Sequence, residues 1–163
     1  MEGGAVQELR KNFLVETAEY ITGKNQYCQV FILEQPVRLN AIGAALQKFG
    51  GSGTLWLELR EDVNGNPGET AAVSKKIRLD RLSSKPGYFW VDFDFSSQAL
   101  VLTPDKYWIS IGYEGTPVIN WFYSYGKPVG PNDGTRYRSG TDLSWDKTLG
   151  FEFNYRLSGF TAE

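Results

Sequence analysis

The sequence predicts an all-β protein, on two observations. Apolar residues recur at every second position, as in GYFWVDFDFS at 87–96, where Phe89, Val91, Phe93 and Phe95 share one side. This period marks a strand with one buried face. Turn signals separate such segments, with 18 Gly and 7 Pro in the chain and no crossover helices between strands. We therefore expect an antiparallel two-sheet β-sandwich of the jelly-roll type.

Nine segments are expected to be strands because each alternates or is apolar and ends at a turn signal. They lie near 13–21, 27–33, 37–47, 54–61, 70–79, 88–95, 106–113, 118–125 and 150–157. In DVNGNPG at 62–68, Asn64 and Gly65 tolerate the positive φ angles of a type I′ hairpin. Pro67 and Gly68 are expected to stop the pairing.

The segment NAIGAALQKFGG at 40–51 fits two structures. A helix would place on one side Ile42, Ala45, Leu46 and Phe49, and a glycine pair stands where its C-cap would be. A strand would instead point Ile42, Ala44 and Leu46 inward. The β-rich surroundings favour the strand.

One domain is expected from the 163 residues. Residues 1–26 are expected to form an N-terminal arm and first strand, and residues 27–163 the jelly-roll sandwich. The apolar sides of the strands define the expected core. Its members are Leu55, Leu57, Leu59, Phe89, Val91, Phe93, Phe95, Ile109, Ile111, Phe151 and Phe153.

The residue inventory argues against an enzyme. The chain has no histidine, which removes Ser-His-Asp and Cys-His catalysis and the usual zinc sites, and Cys28 is its single cysteine. Asp92 and Asp94 on one strand face would stand about 7 Å apart, as in inverting glycosidases, but no insertion is long enough to build a cleft. GGSG at 50–53 lacks the lysine and hydroxyl residue that follow in a phosphate-binding P-loop. We expect no catalysis and no cofactor.

Calcium is the one metal that the sequence leaves open. DVNGN at 62–66 resembles the start of an EF-hand loop, but Pro67 replaces the glycine that should follow. A looser structural calcium site in the sandwich loops, drawing on Asp62, Asp133 or Asp142, stays an alternative.

Charge gives no sign of nucleic acid or membrane partners. The formal net charge is -2, and no basic run is present. The N-terminal MEGGAVQELRKNF lacks the apolar run of a signal peptide, and no segment is apolar for the roughly 18 residues that span a bilayer.

Aromatic residues on the polar sides of strands are the candidate binding residues. Trp56, Trp90 and Trp108 share their strand faces with charged or polar neighbours, and Trp121 and Tyr123 follow one side of VINWFYSY. Trp56, Trp90 and Trp108 exposed together would exceed the apolar patch of a soluble monomer, so we expect something to cover them. Edge loops or residues 1–26 could do so, as could a protein partner or a stacked sugar.

The segment 126–148 is the second candidate region. It is long for a hairpin connection and carries Arg136, Tyr137 and Trp145. Long loops on a rigid scaffold often bind ligands, although its aromatics could equally pin an ordered surface loop.

Six motifs in order resemble the jelly-roll sandwich modules of bacterial surface and secreted proteins and of phage virion proteins. They are QVFIL at 29–33, VRLNAIGAAL at 37–46, GTLWLELREDVNGNPG at 53–68, FWVDFDF at 89–95, LTPDKYWISI at 102–111 and VINWFYSY at 118–125. The resemblance implies a non-catalytic binding or assembly module.

We expect a structural attachment module, a virion component such as a phage decoration or tail protein, that acts through protein–protein contacts. It would form a homo-oligomer or a larger assembly, on a virion or an extracellular surface. The alternative is a carbohydrate-binding module of a surface or secreted protein.

Overall fold

The computed structural model describes residues 6–11, 17–20, 25–125, 135–139, 145, 147–149 and 151–162. Within them the chain forms strands and two single-turn 3-10 helices, Leu79–Arg81 and Ser96–Gln98. The strands are β1 (Gln7–Lys11), β2 (Thr17–Tyr20), β3 (Asn25–Ile32), β4 (Val37–Gly50), β5 (Gly53–Val63), β6 (Asn66–Val73), β7 (Ile77–Arg78), β8 (Phe89–Asp94), β9 (Val101–Leu102), β10 (Lys106–Gly115), β11 (Val118–Tyr125), β12 (Thr135–Ser139), β13 (Lys147–Leu149), β14 (Phe151–Phe153) and β15 (Tyr155–Thr161). No helix in these ranges has the length and apolar character to span a membrane.

The described strands pair into two antiparallel sheets. Sheet A contains β1, β2, β4, β8, β9, β11, β14 and β15, and sheet B contains β3, β5, β6, β7, β10, β12 and β13. The long strand β4 is central to sheet A and pairs with β8, β9, β11 and β15. Strands β3, β4 and β5 alternate between the sheets, as do β10 and β11. The predicted all-β two-sheet sandwich is confirmed.

The core lies between the inner faces of the two sheets. Of the expected members, Leu55, Leu57, Leu59, Val91, Phe93, Phe95, Ile109, Ile111 and Phe153 are buried, as predicted. Phe89 is half-buried and packs against this cluster. The side chain of Phe151 lies outside the described residues.

The segment 40–51 is a strand, as the β-rich context predicted. It forms most of β4, and Ile42, Ala44 and Leu46 point into the core with no exposed surface. Neighbours hydrogen-bond to it on both edges, since Leu46 is opposite Phe89 on one side and Trp121 on the other. Pairing on both edges satisfies the backbone without a helix.

The β5–β6 hairpin has the predicted turn but a different continuation. Asn64 and Gly65 have φ angles of 54° and 83°, as a type I′ turn requires. Pro67 does not stop the pairing, because it stands opposite Asp62 and β6 continues to Val73. β6 ends the order of the described strands in sheet B, and proline is tolerated on an edge strand.

The N-terminal segment contributes to sheet A. Residues 7–11, expected to be a polar arm, form β1 and pair with β15 of the same chain. β2, within the predicted strand at 13–21, pairs with β11. The segment 126–148 supplies β12, which pairs with β3 in sheet B.

Candidate functional site

Trp108 is on the outer face of sheet B but has no exposed surface. Cys28, Val30 and Trp145 pack with it into a small second cluster on that face. Trp108 therefore points away from the main core, as expected, and this protein's own side chains cover it, which is one of the alternatives that the sequence left open.

Polar contacts close that cluster. Trp108 Nε1 donates to Asp62 Oδ1 at 2.8 Å, and the Arg136 guanidinium carbon lies 5.1 Å from the centre of the Trp108 ring. Arg136 donates to Asn66 Oδ1 and to the Gly65 carbonyl, each at 3.1 Å. These bonds tie β12 to the β5–β6 hairpin.

The residues predicted in segment 126–148 thus contribute to packing. Arg136 is 6% exposed and Trp145 8% exposed. The guanidinium carbon of Arg60 lies 5.6 Å from the centre of the Trp145 ring. Arg136 and Trp145, which were candidate ligand-binding residues, are therefore buried against this protein's own side chains. The Tyr137 side chain lies outside the described residues.

Trp121 and Tyr123, predicted among the binding aromatics, are buried in the main core, so that placement is wrong for both. Trp121 stacks on Phe153 at 4.2 Å between ring centroids and donates Nε1–H to the Asn154 carbonyl at 2.9 Å. Ile119, on the same side of β11 and fully buried, was the sequence signal for this orientation.

Trp56 is half-buried on the outer face of sheet B. Its Nε1 donates to Glu58 Oε2 at 3.0 Å, and Lys76 Nζ lies 5.0 Å from the ring centre. The ring also covers Gly112, where a Cβ atom would lie 2.3 Å from Trp56 Nε1. Local partners therefore use much of the Trp56 surface.

A group of partly accessible aromatic residues is on the outer face of sheet A and consists of Tyr88, Trp90 and Phe122, here called the aromatic face. Tyr88 is 46% exposed, and the other two are half-buried. Tyr88 lies 5.5 Å from Phe122 and 6.5 Å from Trp90, between ring centroids. Trp90 was predicted among the binding residues. Tyr88, two positions earlier on the same side, and Phe122, opposite the buried Trp121, were not.

An ion pair borders the aromatic face and explains why Trp90 shares a strand side with aspartates. Arg156 donates to both Asp92 oxygens, at 3.0 and 2.7 Å, and its guanidinium carbon lies 5.0 Å from the Trp90 ring centre. The pair lies over Gly43, where a Cβ atom would be 2.4 Å from Asp92 Oδ1. The Asp92 carboxylate raises the pKa of Arg156, so the guanidinium stays charged.

The remaining carboxylates also have local partners. Asp62 Oδ2 accepts from Gly65 N–H at 3.1 Å, so both Asp62 oxygens accept hydrogen bonds. Within the part of the chain that the structure describes, no three acidic, cysteine or histidine residues form a group that could hold a metal ion. Asp133 and Asp142 lie outside it.

Asp94 differs from a catalytic acid. Hydrogen bonds from the Ser96 hydroxyl and backbone N–H lower its pKa, and Lys75 lies 3.4 Å away. A glycosidase acid needs a raised pKa.

Comparison with known proteins bears on the fold alone. No family model matches the chain, and no curated protein matches it. A solved structure of the clostridial cysteine protease Cwp84 after propeptide cleavage is similar, with a TM-score of 0.66 and 9% sequence identity. The similarity covers 96% of this chain, which spans 40% of that chain's length.

Proposed function

We propose that this protein is a non-enzymatic attachment module that binds protein through the aromatic face of sheet A, beginning with a second copy of itself. The supporting observation is the exposed Tyr88 beside Trp90 and Phe122 on a hydrogen-bonded sheet. Tyrosine, tryptophan and arginine are the residues that most often carry the binding energy of protein interfaces.

Charge supports self-association. Asp92 and Arg156 neutralise one another at the border of the aromatic face. Two copies can therefore bring these faces together without like-charge repulsion at this point. An assembly of this kind agrees with the virion component, such as a phage decoration or tail protein, that we expect from the sequence.

Ring geometry favours protein over sugar. The Tyr88 and Trp90 planes are 89° apart, and the Tyr88 and Phe122 planes 50° apart, so these rings do not form a flat platform. Arg156 also covers one face of the Trp90 ring. Protein side chains can pack against ring edges as well as ring faces.

The absence of catalysis is part of the proposal. The sequence has no histidine, Asp92 is held by Arg156, and the pKa of Asp94 is lowered. None of these features supports acid–base chemistry near neutral pH.

A carbohydrate-binding module is the second candidate, and one observation favours it. Tyr88 is 46% exposed, and the Asp92–Arg156 pair beside Trp90 offers a carboxylate and a guanidinium to sugar hydroxyls. In such a module an accessible ring would stack on the apolar face of a sugar while the neighbouring polar groups bind its hydroxyls.

The test compares the Tyr88→Ala/Phe122→Ala double variant with the control Val101→Ala, which truncates an exposed residue elsewhere in sheet A. Light scattering over rising protein concentration should show self-association of wild type and of Val101→Ala, and a monomeric double variant. A wild type that stays monomeric contradicts the proposal. If wild type shows saturable binding on a glycan array and the double variant does not, the protein is instead a carbohydrate-binding module.

A further inference from the structure

A pocket of about 440 Å³ lies where β4 of sheet A turns into β5 of sheet B. Its lining includes Lys48, the turn residues 51–53, Arg78 and Asp80. Small-molecule sites have volumes of about 300–1,000 Å³. The pocket is lined by two cationic side chains and one carboxylate.

Lys48 occupies an unusual position in this pocket. It continues the inward side of β4 after Ile42, Ala44 and Leu46, which have no exposed surface. Its Nζ donates to the Leu79 carbonyl at 3.1 Å, and among the described residues no carboxylate lies within salt-bridge distance. An ammonium has three donors, and a half-buried one is stabilised by an anionic partner.

The turn 51–53 forms another part of the pocket wall. Gly51 and Gly53 have φ angles of 84° and 130°, and Cβ atoms there would lie 1.9 and 2.0 Å from the carbonyl oxygens of Thr116 and Glu114. The turn therefore packs directly on the β10–β11 turn, and only glycine fits at these two positions. Ser52 adds a hydroxyl to the lining.

Arg78 lies at the exposed side of the pocket. The backbone of Arg78 is opposite Thr54 in sheet B. The Arg78 guanidinium forms an ion pair with Asp80, and the Arg78 side chain remains 67% exposed. The lining thus holds two cations and one carboxylate, and that carboxylate is paired with Arg78, which leaves a local charge of about +1 for an incoming anion.

We propose that this pocket binds a small molecule bearing a carboxylate or phosphate group, with Lys48 Nζ contacting its anionic oxygens. Arg78 and Ser52 supply further donors. GGSG is not a P-loop, and here the lysine comes from the strand before the turn instead of from the residues after it. The proposal is independent of the aromatic face.

The experiment titrates the whole protein with sodium phosphate and with sodium glucuronate by NMR, at an ionic strength held constant with sodium chloride. We expect saturable binding by wild type and by the control Lys85→Gln, which removes an exposed lysine outside the pocket. Lys48→Gln should bind at least about tenfold more weakly, because a hydrogen bond to a charged group is lost. The anion that binds more tightly identifies the ligand as a phosphate or a carboxylate.

Two results would overturn the proposal: no saturable binding of either anion, or equal affinity in Lys48→Gln and wild type. If Lys48→Gln does not fold, Arg78→Gln serves instead, because that side chain is largely exposed. Unchanged affinity in Arg78→Gln would then count against the site. The Tyr88→Ala/Phe122→Ala variant should bind both anions as wild type does, which separates this test from that of self-association.

Discussion

Trp108 donates its indole N–H to Asp62 at 2.8 Å across the outer face of sheet B. The tryptophan is completely buried although its strand position faces away from the main core. The bond joins β10 to the β5–β6 hairpin, and the Arg136 guanidinium lies over the same ring. A carboxylate in a hairpin therefore anchors the second hydrophobic cluster.

Replacing Asp62 by alanine should destabilise the protein, because the buried Trp108 N–H would lose its acceptor. We expect the free energy of unfolding to fall by about 1–3 kcal/mol in urea titrations. Asp62→Asn should lose less, since its amide oxygen can still accept. Glu69→Ala, at an exposed position of β6, is the control and should be near neutral. An Asp62→Ala protein as stable as this control would show that the bond contributes nothing.

Sequence alternation predicted the main core well and the outer faces poorly. Leu57, Phe93 and Ile109 are buried as expected, because each is on the apolar side of a strand with a clear polar side. Alternation tells which side of a strand a residue takes but not what covers that side. The burial of Trp108 under Arg136, which belongs to a distant strand, therefore could not be predicted.

The candidate site shows the same limit. In VINWFYSY the side of Trp121 also carries Ile119, whereas the side of Phe122 carries Asn120, so the alternation itself favoured an inward Trp121. Trp90 was correctly placed on an outer face, but its partner Arg156 is on β15, far along the chain. Contacts that depend on sheet order are not encoded in local periodicity.

Gly112→Ala should disturb the Trp56 contacts. A Cβ atom there would lie 2.3 Å from Trp56 Nε1 and 2.9 Å from Glu58 Oε2, so the ring must move and lose its bond to Glu58. We expect a loss of about 1–3 kcal/mol in thermal unfolding followed by circular dichroism. Gly50→Ala is the matched control because nothing lies within 4 Å of its Cβ position. Equal stability of the two variants would contradict the observed position of the Trp56 ring.

Phe93→Ala should be among the most damaging single substitutions. Phe93 has no exposed surface, and its removal would leave a cavity between the sheets that costs about 3–5 kcal/mol. Tyr88→Ala, an aromatic truncation on the exposed side just before β8, should cost less than about 1 kcal/mol. Guanidinium titrations of both variants measure this difference, and a near-neutral Phe93→Ala would mean that the two faces of β8 are exchanged.

Asp94 should make part of the stability depend on acid pH. Hydrogen bonds from the Ser96 hydroxyl and backbone N–H, the latter at 2.7 Å, lower the pKa of Asp94 in the folded state. A carboxyl whose pKa is lower when folded stabilises the protein above its unfolded pKa of about 4, and this contribution disappears as pH falls through the folded value. The side chain is 43% exposed, so solvent screening should keep the effect below about 1 kcal/mol.

Urea titrations from pH 7 to pH 2 should show wild type more stable than Asp94→Asn at neutral pH, with the difference shrinking below about pH 4. Ser96→Ala should retain part of the effect because the backbone N–H still donates. A wild-type advantage that stays constant down to pH 2 would mean that these hydrogen bonds do not favour the ionised carboxylate.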